Sequence, residues 1–276
     1  MKINERETSQ ITDDPELVAL IADLRATASP MLIDPIFRAA LRAELLGEAQ
    51  PLCYAALLSP FGRIWVAFQG HHVRIISGRN EADFLAEAQR TLDVLPIRSD
   101  TIPEKLARRV LTAIAGRRQV VAEAELAQLT PFQRAVLAQT QRIPRGEVRS
   151  YAWIAREVGQ PRAVRAVGSA LANNPLPLLI PCHRVIRSDG TLGQYSGGGT
   201  LHKAEILTYE GVNLQQLQTL AHAGLRFQGC RTTKIFCLPT CYSGKHMQDH
   251  NRVYFHSEAE ARQQGFRPCK LCRPAL

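Results

Sequence analysis

The sequence predicts an α+β chain in three parts: a small antiparallel-sheet domain, a helical helix-turn-helix domain and a small cysteine-rich domain. Three observations carry that expectation. Apolar, β-branched segments broken by Gln69-Gly70 lie in residues 51–78. Two short helical patterns flank a Gly159-Gln160-Pro161 turn. Four cysteines pair off at short spacing near the C-terminus.

Residues 1–50 read as an acidic helical extension. Asp14-Pro15 and Asp34-Pro35 are helix starts, with Leu17, Leu20, Ile21 and Leu24 on one face and Phe37, Leu41 and Leu45 on a second. Residues 51–129 form the strand-helix domain. Leu52 to Leu58, Ile64 to Phe68 and Val73 to Ile76 are its strands, with a Ser59-Pro60-Phe61-Gly62 turn. Helices are expected near 80–94 and 103–116, and a charged, alanine-rich linker at 117–130. Cys53 belongs in the sheet as a small inert hydrophobe.

Residues 130–215 form the helix-turn-helix domain. Thr130 caps a helix whose first residue is Pro131. Ser150 to Val158 and Arg162 to Leu171 then give two helices about a tight turn. The second is expected to carry Arg162 and Arg165 one turn apart on one face. Its many small residues (Ala163, Ala166, Gly168, Ser169, Ala170) would let backbone approach DNA closely.

The 276 residues carry a net charge of +9, unevenly spread: −4 over residues 1–50, +7 over 51–221 and +6 over 222–276. The two basic segments suit a polyanion, and nucleic acid is the commonest. No run approaches the apolar length of a membrane span, and Met1 to Glu7 lack an apolar signal region. The expectation is a bacterial cytosolic protein with access to the chromosome and no membrane partner.

Immediately after the second helix, Asn173-Asn174-Pro175 stops the chain and Pro181-Cys182-His183-Arg184-Val185 follows. A cysteine beside a basic group is a candidate thiolate nucleophile, and its neighbours set its pKa. Placed next to a DNA-reading helix, it points to chemistry on DNA itself, for which a base must leave the stack. Arg165 has the length and planar head to fill the gap.

Residues 130–211 resemble the catalytic domain of the O6-alkylguanine–DNA alkyltransferases (methylated-DNA–protein-cysteine methyltransferases). The matching text is Gly146-Glu147-Val148-Arg149-Ser150-Tyr151, Arg165-Ala166-Val167-Gly168, Asn174-Pro175, Pro181-Cys182-His183-Arg184-Val185-Ile186, Tyr195-Ser196-Gly197-Gly198 and Glu210-Gly211. Residues 51–116 resemble that family's N-terminal domain more loosely. The resemblance implies single-turnover repair of alkylated double-stranded DNA, at O6-alkylguanine and O4-alkylthymine, by transfer to Cys182. It implies that His183 deprotonates Cys182 through a water, that Glu210 orients His183, and that Asn174 is a hinge. Tyr151 would help rotate the nucleotide, and Arg165 would enter the vacated stack. Arg162 and Ser150 would contact DNA, and Tyr195 and Ser196 would wall the pocket. The helix-turn-helix would lie in the minor groove, where readout is largely insensitive to sequence. The loop Gly197 to His202 is about a residue longer than in many relatives, which bears on tolerance for larger alkyl groups.

Cys237-x3-Cys241 and Cys269-x2-Cys272 are two knuckles of a tetrahedral zinc site. Residues 222–276 form this third domain, and residues 227–274 resemble the zinc-binding domain of the bacterial Ada proteins. The matching text includes Phe227-x-Gly229-x-Arg231-Thr232-Thr233, Ile235-Phe236-Cys237-x-Pro239-x-Cys241 and Gly265-Phe266-Arg267-Pro268-Cys269-Lys270-x-Cys272. That resemblance implies Zn2+ on Cys237, Cys241, Cys269 and Cys272, DNA contact, and Cys237 as a second methyl acceptor from phosphate triesters. After the second cysteine, Tyr242-Ser243-Gly244-Lys245-His246 lacks the arginine expected there, and the module follows the catalytic segment rather than preceding it. The competing reading is a zinc-containing DNA-binding regulator that senses alkylation. It needs a second, sequence-reading DNA module, and none is legible.

Overall fold

The computed structural model describes residues 49–274 other than 79, 118–120 and 122; the helices expected at Asp14-Pro15 and Asp34-Pro35 lie outside the described residues. No helix among the described residues is long and apolar enough to cross a membrane.

Strands β1 (Leu52–Ser59), β2 (Gly62–Gln69) and β3 (His72–Ser77) form the expected antiparallel meander, and β4 (Ile97–Arg98) adds to β1 in parallel. The first turn closes because Ser59 Oγ donates to Gly62 O and accepts from Phe61 N, with Gly62 at φ 91°. Alternate positions share a face. Tyr54, Trp65, Ala67 and Ile75 therefore meet Phe84 and Ala88 of helix α1 (Glu81–Leu92). Helix α2 (Glu104–Ile114) packs against β1. The segment expected as a linker is only partly one. Glu125 is fully buried, accepts from Val73 N at 2.8 Å and pairs with both Arg109 terminal nitrogens at 2.6 and 2.7 Å. A buried carboxylate with a bidentate partner pins the chain there.

Helix α3 (Pro131–Thr140) begins as expected, with a reciprocal capping box between Thr130 and Gln133. Helices α4 (Tyr151–Glu157) and α5 (Val164–Ala172) form the helix-turn-helix. Arg162 is a correction: it does not share the α5 face with Arg165. Ala163 N bonds back to Gln160 O, closing a separate turn, so Arg162 precedes the helix. Strands β5 (Arg149–Ser150) and β6 (Val185–Ile186) pair in parallel and flank the Cys182 turn. Helix α6 (Gly199–Tyr209) starts four residues before the expected 203, so Gly199 to His202 are its first turn rather than loop. Helix α7 (Leu214–His222), not foreseen, runs through the expected boundary at 215–222 and buries Leu217 and Leu220. The sheet domain is tied to this half where Ile76 N donates to Pro175 O at 2.9 Å.

The third part has β7 (Phe227–Cys230), β8 (Ile235–Cys237), helix α8 (Tyr242–Lys245), β9 (Arg252–Phe255), helix α9 (Glu258–Gln263) and β10 (Arg267–Pro268), in sheet order β10-β8-β7-β9. β8 ends at Cys237 and its parallel neighbour β10 runs into Cys269, so one ladder brings both knuckles together. The apolar core here is small: Phe236, Phe255, Ala261 and Phe266.

Candidate functional site

Cys182 opens a single 3-10 turn, Cys182–Arg184, between Pro181 and β6. Upstream, Leu178 holds a left-handed backbone at φ 76°, strain adjoining the turn that presents the thiol. Asn174, at the end of α5, ties helix to loop. Its Nδ2 donates to Ile180 O at 3.0 Å and to Cys182 Sγ at 3.1 Å, while Oδ1 accepts from Leu176 N at 3.1 Å. Behind the thiol, His183 Nε2 lies 3.1 Å from Glu210 Oε1. His183 Nδ1 is buried and makes no hydrogen bond.

Two functional side chains escape a reading of the sequence. Arg184 grips Glu210 through Nε to Oε2 at 2.9 Å and Nη2 to Oε1 at 2.5 Å, with Nη1 donating to Ile143 O. Lys203 is fully buried on α6, its Nζ donating to Val185 O and Leu192 O at 2.5 and 2.7 Å. A signal for Lys203 does exist: Lys203, Ile206, Leu207 and Glu210 recur at i, i+3, i+4, i+7, which puts a lysine on the buried face.

Burial would raise the Glu210 carboxyl, but hydrogen bonds and charge from His183 and Arg184 outweigh it and hold the pKa near 2. Burial pushes the His183 imidazole below its ordinary value, against the pull of Glu210. Burial pushes the Cys182 thiol up, and the Asn174 bond and the Lys203 charge pull it back. The resting pair is thus a thiol beside a neutral imidazole, so forming a thiolate requires that base. Burial also lowers Lys203 to about 8, still above neutrality, so it keeps most of its charge at pH 7. Tyr151 is raised by burial and by the nearby Cys182, so it stays a hydroxyl donor.

Lys203→Met removes that cation and leaves two carbonyls unpaired. Its expected effect is a transfer rate about tenfold lower at pH 7, consistent with the loss of about one charge interaction of 1–2 kcal/mol. Alkylation of Cys182 by iodoacetamide across pH is the check: the profile of the variant moves to higher pH.

In front of Cys182 a cleft of about 580 Å³ is lined by Tyr151, Arg165, Gly168, Cys182, Tyr195 and Ser196. A Cβ at Gly168 would meet nothing within 4 Å, so α5 offers open backbone to the cleft. Tyr195 is buried, edge-on to His183 and stacked with His202. The structure therefore brings Cys182, His183, Glu210, Asn174, Tyr151, Arg165, Tyr195 and Ser196 to one centre. It leaves Arg162 exposed outside the cleft lining and gives Ser150 a capping task, accepting from Trp153 N at 3.1 Å.

The second centre is built from the two knuckles. Cys237, Cys241, Cys269 and Cys272 are all buried, with their sulfurs within 4.8 Å of one another. A tetrahedral ion with metal–sulfur bonds of about 2.3 Å needs sulfurs roughly 3.8 Å apart, so the donor set fits a metal. Leu238 N donates to Cys272 Sγ at 3.5 Å, an outer bond suited to a thiolate.

A buried, base-served thiol opening into a helix-turn-helix cleft defines a cysteine-dependent transferase that works on DNA. Comparison gives the family. Residues 131–212 match the 6-O-methylguanine DNA methyltransferase DNA-binding domain, and residues 217–275 match the metal-binding domain of Ada. The chain is 36% identical over 180 residues to the methylated-DNA–protein-cysteine methyltransferase of Mus musculus, covering 60% of this chain and 85% of that one. It is 35% identical over 171 residues to the bifunctional transcriptional activator/DNA repair enzyme Ada of Escherichia coli, covering 60% of this chain and 48% of that one. Among solved structures, the Mycobacterium tuberculosis OGT in complex with DNA is 26% identical, covers 59% of this chain and 97% of its own, and gives a TM-score of 0.44. The chain belongs to the methylated-DNA–protein-cysteine methyltransferase family, and it joins that O6-methylguanine repair domain to an Ada-type metal-binding domain.

Proposed function

We propose that Cys182 is the alkyl acceptor for O6-alkylguanine, and for O4-alkylthymine, in duplex DNA. The observation that carries the reading is the meeting of Cys182, the His183–Glu210 pair and the Arg165-lined helix in one cleft. The α5 helix enters the minor groove, the alkylated base flips into the cleft, and Arg165 fills its place in the stack. His183, held at Nε2 by Glu210, takes the Cys182 proton through a water at Nδ1. The thiolate attacks the alkyl carbon; the S–C bond forms and the C–O6 bond breaks with its electron pair going to the base. Tyr151 donates to the ring as that charge develops, and the proton lost by the thiol ends on the guanine. Nothing in the site reverses a thioether, so each chain acts once. Ser196 and Tyr195 wall the pocket, and Asn174 keeps α5 and the nucleophile loop in register.

The four cysteines hold Zn2+, whose bonds to four thiolates supply fold energy to a segment with a small core. Residues 51–129, 130–215 and 222–276 serve as scaffold, catalytic and zinc units. The zinc unit lies on DNA beside the helix-turn-helix, a role supported by its net charge of +6 over residues 222–276. Cys237 acts as a metal ligand and is the residue to which a phosphotriester methyl would pass. That residue is 3% exposed, and its turn is engaged with the catalytic half through Thr240 and Tyr242.

Peptide-resolved mass spectrometry after separate incubations with O6-methylguanine duplex and methylphosphotriester duplex tests this. A methyl on Cys182 from the first is expected, and the second decides whether Cys237 is also an acceptor. A folded, metal-loaded protein without a methyl on Cys182 would favour the alkylation-sensing regulator, and a methyl on Cys237 would make this a two-lesion repair protein.

A further inference from the structure

The two zinc knuckles hold opposite ends of one catalytic segment. The first knuckle holds its start. Val148 N donates to Thr240 Oγ1 at 2.9 Å, and Tyr242 N donates to Glu147 Oε1 at 3.1 Å. Glu147 is itself buried and pairs with Arg149 at 2.5 Å. The second knuckle holds its end. Trp153 Nε1 donates to Cys272 O and Arg273 O at 3.0 and 3.1 Å, and Arg156 Nη2 donates to Arg273 O at 2.6 Å. The Arg273 guanidinium pairs with Glu157 and lies over the Trp153 ring. Between these two grips lie Ser150, the cap of α4, and Tyr151, which faces Cys182 across the cleft.

We propose that Thr240, Arg273 and Trp153 are positioning residues for alkyl transfer. Through them the metal-closed knuckles clamp α4, and so set Tyr151 and the entry to the helix-turn-helix for duplex DNA. Without the metal, the β8–β10 ladder, the Cys269 N bond to Phe236 O and the Leu238 N bond to Cys272 Sγ are left between the two knuckles, and the two grips share a less rigid frame. Four of the bonds are to backbone groups beside the ligands or to the carbonyl of a ligand itself, so metal geometry passes directly into α4. This rests on the reading that Cys182 accepts the alkyl group and the four cysteines hold zinc.

The experiment uses the full chain in three forms: zinc-loaded, chelator-stripped, and zinc-loaded W153F/R273A, which keeps every ligand. Amide exchange of residues 151–157 is measured, with residues 52–77 as the internal reference. Transfer to Cys182 is measured against duplex concentration, and separately with a free O6-alkylguanine base. The double variant loses both Trp153 bonds and the Arg273–Glu157 pair while keeping the Arg156 bond to the backbone carbonyl at 273, and its half-saturating duplex concentration is expected to rise about tenfold. Exchange at 151–157 should quicken there and in the stripped protein, while the 52–77 reference holds and the free-base rate changes less than about threefold. Unchanged exchange and unchanged duplex dependence in both altered forms overturn the clamp. A loss of free-base and duplex rates in equal proportion also overturns it, since that is general destabilisation. Loaded wild-type protein that modifies Cys182 with neither substrate, or binds no zinc, fails the underlying reading instead, and exchange in W153F/R273A still decides the clamp.

Discussion

Glu210→Gln lowers unfolding stability by about 3–5 kcal/mol, the usual cost of stranding one member of a buried ion pair. Arg184 is left with its charge and no counter-charge, in a side chain 8% exposed. The amide also turns an NH2 group toward donors already aimed at the carboxylate. Transfer to Cys182 falls further than stability alone requires, by about a hundredfold, because His183 loses the carboxylate that orients it and stabilises its protonated form. Urea denaturation and single-turnover transfer are the measurements.

The pH dependence separates this from a packing effect. A carboxyl ordinarily near 4.5 and held near 2 in the fold contributes stability above about pH 4.5 and loses it as pH falls toward 2. The full contribution is roughly 3 kcal/mol at about 1.4 kcal/mol per pH unit. The gap between wild type and Glu210→Gln should therefore be constant from pH 7 to 5 and shrink below that. A gap that persists undiminished at pH 3 would show that the carboxylate charge is not what stabilises the site.

Metal removal is the second large effect. A structural zinc on four cysteines contributes about 10 kcal/mol or more of apparent binding free energy near neutral pH, and all of it is folding free energy for the module it closes. The C-terminal core of Phe236, Phe255, Ala261 and Phe266 is too small to replace that. Chelation, or Cys272→Ser, should release one zinc per chain and abolish amide protection in β7 to β10. The strands of residues 52–77 should keep theirs, since their core of Tyr54, Trp65, Ile75 and Phe84 shares nothing with the knuckles. A colorimetric chelator titration read alongside hydrogen exchange checks both halves. Protection that survives complete metal release would mean the sheet and its docking on the catalytic half suffice.

Much of the chain is legible in its amino-acid order. Apolar, β-branched runs bounded by turn residues place β1 to β3, the Thr130-Pro131 pair places the start of α3, and the 3- and 2-residue spacings place all four metal ligands. These signals are local: they depend on turn residues, cap chemistry and ligand reach within a few residues. Where local signals conflict, they mislead. Pro161-Arg162 has the form of a helix start, yet a bond from Ala163 N to Gln160 O closes a turn first. Gly197 to Gly199 has the composition of a loop, yet Gly199 begins α6.

The partners of buried charges are not legible in this way. Glu125 finds Arg109 and Val73, Arg184 finds Glu210 across 26 residues, and Trp153 finds the last metal ligand across 119. A sequence supplies a charge or an indole but not what faces it, because a desolvated group takes whichever partner packing brings within about 3 Å. The candidate acceptor cysteine, its histidine and the metal ligands can thus be named from residue order and spacing alone. That Lys203 and Arg184 tune the first centre, and that the second centre grips the helix-turn-helix of the first, emerges only on folding, since both depend on contacts between segments far apart in the chain.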